Sequence, residues 1–166
     1  MFNGCSKLQN FSGTIFSDSK NVTVDNKSCF NSMFKNCTKL SNLDIPFYNL
    51  KFADSCSRFC DSMFYNCSSL ISCTLPKFTS TSANMRYFNY TFFNCKSLQK
   101  VSSYFTKWPK TGNYTNMISG NLENWQPLRA TLYLLSSSTD PAVSSAKPNE
   151  PNDFLYNWTI TNTEVD

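Results

Sequence analysis

Apolar positions recur in a fixed order along residues 1–103. The block Met33-Phe34-Lys35-Asn36-Cys37-Thr38-Lys39-Leu40 has counterparts at Met1 to Leu8, Met63 to Leu70 and Phe92 to Leu98. Within it, Phe34, Cys37 and Leu40 are spaced i, i+3, i+6, with Met33 four residues before Cys37, which predicts one face of a short helix. The period then changes. In Leu40-Ser41-Asn42-Leu43-Asp44-Ile45-Pro46 the alternation predicts a strand with Leu43 and Ile45 inward and Asn42 and Asp44 outward. Leu70 to Pro76 repeats the scheme, with Cys73 at the inward place of Leu43. Pro46 and Pro76 lack an N–H and end each ladder. The pattern weakens in the outer units, around Phe11 with Gly13 and Val101 with Ser103.

The repeated cysteines, Cys5, Cys37, Cys67 and Cys95, lie 32, 30 and 28 residues apart, a period that marks repeat arrays. A unit this small cannot bury its own apolar face, so a continuous core requires neighbouring units to stack. The expectation is an α/β leucine-rich-repeat solenoid, with a short helix and a strand per unit and one parallel sheet. Apolar residues of the linking segments, Phe47, Tyr48, Leu50, Phe52 and Phe59, are expected to pack on its back. After Val101 the signature stops. Two β-rich segments, Arg129 to Leu135 and Leu155 to Thr161, predict a C-terminal β cap over residues 104–166, with a mobile loop at 136–153.

Two of these units resemble a known family. Ser32-Met33-Phe34-Lys35-Asn36-Cys37-Thr38-Lys39-Leu40 and Ser62 to Leu70 are similar to the BspA-type leucine-rich repeat, Met-Phe-x-Gly/Asn-Cys-Ser/Thr-x-Leu. Cys29-Phe30-Asn31-Ser32 resembles its lead-in. The ending is also similar, with Phe105-Thr106, a strand at Thr131 to Leu134 and Asn157-Trp158-Thr159-Ile160. The resemblance implies a surface protein of the kind found on gut and oral bacteria, in some parasites and in phages, with roles in adhesion and host contact. It brings no catalytic motif.

At 166 residues, with 16% aromatic and 16% charged residues, the chain suits one domain with a real core. The net charge of +4 is carried by scattered lysines. Without a stripe able to neutralise many phosphates together, no nucleic-acid partner is expected. No run approaches the roughly 20 apolar residues that span a bilayer, so no membrane insertion is expected within this segment. Met1-Phe2 already belongs to a repeat, which leads to the expectation that the chain is a piece whose export signal and anchor lie elsewhere.

The chemistry is sparse. There is no histidine, which excludes Ser-His-Asp and Cys-His catalysis. Asp18, Asp25, Asp44, Asp54, Asp61 and Glu123 do not cluster in sequence, and the four glycines form no phosphate loop. Cys56 and Cys60 have zinc-knuckle spacing, but Cys67 and Cys73 do not, so neither metal nor cofactor is expected. The eight cysteines read as buried thiols used as small hydrophobes, with a bridge among Cys29, Cys56 and Cys60 the exception. The Asn-x-Ser/Thr triplets, including those at Asn36 and Asn66, read as incidental in a chain rich in these residues.

What remains is the outward face of the strands: Asn10 and Ser12, Asn42 and Asp44, Ser72 and Thr74, Lys100 and Ser102. Asn42, Asp44, Ser72, Thr74 and Lys100 are the candidate ligand-binding residues, suited to a glycan or protein held by many weak contacts and strengthened by multivalency. The function expected is non-enzymatic recognition or adhesion, extracellular or at a cell surface. The rival is a structural or host-recognition part of a phage particle, assembled with other chains in a virion.

Overall fold

The structure, a computed structural model, describes residues 1–12, 23–24, 28, 30–44, 51–52, 58, 60–75, 88–103, 130–134 and 158–161. Its strands are β1 (Asn10–Ser12), β2 (Thr23–Val24), β3 (Asn42–Asp44), β4 (Lys51–Phe52), β5 (Ser72–Leu75), β6 (Lys100–Ser103), β7 (Thr131–Leu134) and β8 (Thr159–Thr161). Six of them form one parallel sheet in the order β1-β3-β5-β6-β7-β8, and β2 pairs in parallel with β4.

The register follows the sequence repeat. Phe11 lies opposite Leu43, Leu43 opposite Cys73, Cys73 opposite Val101, Val101 opposite Leu132 and Leu132 opposite Ile160. Leu43, Cys73, Leu75, Val101 and Leu132 are buried, as the alternation predicts, and β5 shows the alternation along its length. β7 and β8 fall inside the two expected β segments. They continue the same ladder as further parallel rungs, so the proposed cap region is joined to the repeats by a single sheet.

The helix expectation is corrected. Among the described residues there is no helix, and Met33 to Leu40 and its counterparts are successive turns. Ser32 and Asn36 have φ of 54° and 62°, Ser62 and Asn66 55° and 63°, Tyr90 and Asn94 55° and 59°. A left-handed residue at every fourth position interrupts any right-handed helix. The amide hydrogen bonds show what replaces it. Met33, Lys35 and Cys37 donate to Phe30, Ser32 and Phe34 three residues back, closing tight turns at 3.1–3.2 Å. The alternate amides of Ser32, Phe34 and Asn36 leave the unit and donate to Asp61, Met63 and Tyr65 of the next, at 2.8–2.9 Å. Ser62, Phe64 and Asn66 do the same to Asn89, Thr91 and Phe93, and Phe2 and Gly4 to Met33 and Lys35. Each rung is therefore tied to its neighbour by a turn ribbon as well as by its strand.

The core lies between ribbon and strand. Phe2, Phe34, Phe64 and Phe92 stack at centroid separations of 5.3, 5.8 and 5.6 Å, with planes within 10° of parallel. Trp158 closes on Phe92 at 6.1 Å. Leu40, Leu70 and Leu98, with Met33 and Met63, complete the buried rows. The linking apolar residues Phe47, Tyr48, Leu50 and Phe59, Pro46 and Pro76, and the loop expected at 136–153, lie outside the described residues, as does the side chain of Phe52.

Candidate functional site

The outward sheet face is set by strand parity. Because Leu43, Cys73 and Val101 point inward, their neighbours Asn42, Ser72, Thr74 and Lys100 stand on the other side. Asn42 and Lys100 are exposed, and Ser72 and Thr74 are half-buried. Asn10, Asn42, Ser72, Lys100, Thr131 and Thr159 are successive register partners and form one transverse row. Asp44 belongs to the next row, opposite Ser12. The side chains of Asp44 and Ser12 lie outside the described residues.

Part of this row is bonded to itself. The Ser72 hydroxyl donates to Asn42 Oδ1 at 3.0 Å, and the Ser41 hydroxyl donates to Asn10 Oδ1 at 2.9 Å. Asn42 Nδ2 turns back to Ser41 Oγ at 3.4 Å. The side chains are thus oriented along the stack, at the roughly 4.8 Å step of a parallel ladder. Such a row can exchange hydrogen bonds with the hydroxyls or amides of an extended ligand lying across the strands.

The structure alters two members of the expected site. Ser102 has outward parity but is only 6% exposed. Its register partner is Tyr133, over whose ring Lys100 Nζ sits at 4.7 Å. The Lys100–Tyr133 cation–π pair puts an aromatic ring beside the polar row, a residue outside the expected set. The signal was present in Thr131-Leu132-Tyr133, where inward Leu132 puts Tyr133 outward.

The cysteines form a second repeated set with different chemistry. Cys37, Cys67 and Cys95 are buried, and each thiol donates to the carbonyl of the phenylalanine one rung earlier, Phe2, Phe34 and Phe64, at 3.0 Å. Burial pushes the Cys67 thiol up to about 12, with the neighbouring Cys37 adding to the effect. Burial also raises Cys37, Cys73 and Cys95 above the ordinary thiol value. Protonated, hydrogen-bonded thiols of this kind are poor nucleophiles. None of the four is in a disulfide, nor are buried Cys60 and exposed Cys5; Cys29 and Cys56 lie outside the described residues.

A third row runs along the turn ribbon. Asn66 Nδ2 donates to Asn36 Oδ1 at 3.1 Å, and Asn94 Nδ2 to Asn66 Oδ1 at 2.6 Å. The Asn66 nitrogen that would carry a glycan is thereby committed to the stack. Beside this row, Tyr65 and Phe93 stack at 4.7 Å, with Lys35 Nζ 4.6 Å from the Tyr65 ring. Asp61 is buried and accepts the Asn89 amide at 3.1 Å, tying one rung to the next.

No helix of the described residues is long and apolar enough to cross a membrane. Comparison of the chain with protein-family models, curated proteins and solved structures finds no match.

Proposed function

We propose that the chain is a non-enzymatic recognition module of the BspA-like leucine-rich-repeat type, wound as a solenoid and presented outside the cell or at its surface. It binds a glycan or protein along the outward sheet face. The observation that carries this reading is the transverse row Asn10, Asn42, Ser72, Lys100, Thr131, which sets hydrogen-bonding groups and one cation in register on strands of a single sheet. Lys100 with Tyr133 adds the charged and aromatic element that a polar row alone lacks. Each contact is weak, so several copies presented together supply the avidity.

A glycan and matrix-protein array probed with multimerised protein tests the proposal. Replacing Asn42, Ser72, Thr74 and Lys100 together by alanine is expected to abolish the signal while leaving the melting temperature within a few degrees of the parent. Binding that survives the fourfold change removes the ligand from this face.

A further inference from the structure

The turn ribbon carries chemistry that the sheet face does not use. Lysines scattered in sequence come together there, because the repeat sets them at neighbouring positions of successive turns. Lys35 lies two residues before its cysteine, Lys96 one residue after its own, and Lys7 and Lys39 two residues after theirs. Lys7, Lys39 and Lys96 are exposed, and Lys35 is half-buried. Lys39 and Lys96 belong to rungs two steps apart, about 10 Å along a ladder that rises roughly 4.8 Å per rung. Of the described acidic residues, Asp44 belongs to β3, and Asp61 is buried and accepts the Asn89 amide.

Aromatic rings flank these cations. Tyr65 has Lys35 Nζ over one face at 4.6 Å and Phe93 stacked on the other at 4.7 Å, so its edge and hydroxyl are what solvent meets. Ring edges carry the positive end of the quadrupole and add to the field of the lysines. Tyr90 extends the group, meeting Phe93 edge-on at 5.9 Å, and is 37% exposed. Its φ of 55° is one that a bulky side chain seldom takes, and the same position holds serine in the two preceding rungs, Ser32 and Ser62. An exposed ring held in that conformation beside a cationic row points to a binding role.

We propose that the ribbon side is a second binding surface, taking an acidic polysaccharide laid along the stack. Its sulfate or carboxylate groups meet Lys7, Lys35, Lys39 and Lys96, and its hydroxyls meet the phenols of Tyr65 and Tyr90. Charge complementarity selects a polyanion. Single-stranded nucleic acid fits less well, because its bases stack on free aromatic faces and both faces of Tyr65 are covered. An acidic peptide binds by adding to an open backbone edge, whereas the ribbon amides of the inner rungs are engaged in turns and in neighbouring rungs.

Biolayer interferometry of the 166-residue chain on dextran sulfate, uncharged dextran, polyglutamate and oligothymidylate tests this. The expected result is binding to dextran sulfate that weakens about tenfold or more between 50 and 200 mM salt, with none to dextran. No binding to dextran sulfate, or equal affinity for polyglutamate or oligothymidylate, overturns the proposal. Lys35→Gln, Lys39→Gln and Lys96→Gln together are expected to weaken binding about tenfold or more at low salt. Lys100→Gln, Lys107→Gln and Lys110→Gln remove the same charge outside the repeated blocks, and an equal loss there would reduce the effect to net charge and overturn the site. Tyr90→Ser installs the serine of the preceding rungs, so it is expected to melt no lower than the parent yet bind severalfold more weakly; unchanged affinity overturns the site. Alanine at Asn42, Ser72 and Thr74 alters the sheet face without altering charge and is expected to leave dextran sulfate binding intact, so this surface and the sheet-face reading stand or fall separately; loss of binding there places the polyanion on the sheet and overturns the proposal.

Discussion

The position before each repeated cysteine carries two jobs at once. Asn36, Asn66 and Asn94 take a left-handed backbone, which closes the turn, and their amides join into a row between rungs. Gly4 holds the same place in the first rung with φ of 78° and open space where a Cβ would go. The two jobs separate by substitution. Asn66→Gly keeps the backbone but breaks the row, at an expected cost of about 1–2 kcal/mol, and Asn66→Ala adds about 1 kcal/mol more for a Cβ in the left-handed region. Gly4→Asn supplies an acceptor for the Asn36 amide, which the direction of the row aims at the first rung, and is expected to raise stability by about 0.5–1 kcal/mol. Urea unfolding of the three variants checks the order. The interchange of glycine and asparagine before cysteine was visible in the chain as a mark of left-handed backbone. The i, i+3 spacing of Phe34, Cys37 and Leu40 hid its meaning, because a run of i→i−3 turns places side chains much as a helix does.

Within a rung, strand and ribbon were unequally legible. The alternation around Leu43 and Cys73 gave strand parity, since a strand with one buried face must alternate. Register was legible too: each strand starts five residues after the repeated cysteine, at Asn10, Asn42, Ser72 and Lys100. The phenylalanine stack depends on both elements holding that register. Phe64 is enclosed between Phe34 and Phe92, whereas Phe2 has a ring neighbour of this row on one side only. Phe64→Ala is therefore expected to cost about 3–5 kcal/mol and Phe2→Ala less than half as much, because the end site can collapse or hydrate. Denaturant midpoints of the two variants read the difference, and equal losses would mean that the rings do not act as a row. Among candidate site residues, Asn42, Ser72, Thr74 and Lys100 stand on the outward side as parity required. Ser102 shares that parity yet is buried beside Tyr133, a relation between residues 31 apart that local pattern does not reveal.

At the scale of the molecule, the rungs share one interior, so global unfolding exposes the buried thiols together. In the fold they are held protonated by burial, with Cys67 near 12, against an ordinary value of 9.0. A folded value above the unfolded one means that this contribution is complete below about pH 8.5 and is lost as pH rises toward the folded value. Thermal midpoints in reductant are expected to hold steady between about pH 6 and 8 and to fall above about pH 9, with a shallower fall in Cys67→Ala. An identical alkaline slope in that variant would show that other groups govern the loss. Native-state alkylation belongs to the same prediction: Cys5 reacts at once, and Cys37, Cys67, Cys73 and Cys95 only on unfolding.

By itself the sequence determined the apolar rows of the repeat, that they recur, and where the strands of the main sheet run, because burial period and turn chemistry act over a few neighbouring residues; the β2–β4 pair and the burial of Ser102 were not legible in it. Only the tertiary structure decided that the repeated block is a turn ribbon and that β7 and β8 extend the same sheet. A helix satisfies its amides locally. The ribbon leaves every second amide to a rung about thirty residues away, so its conformation is stable only when that rung is in place, and no local pattern records the neighbour that makes it so.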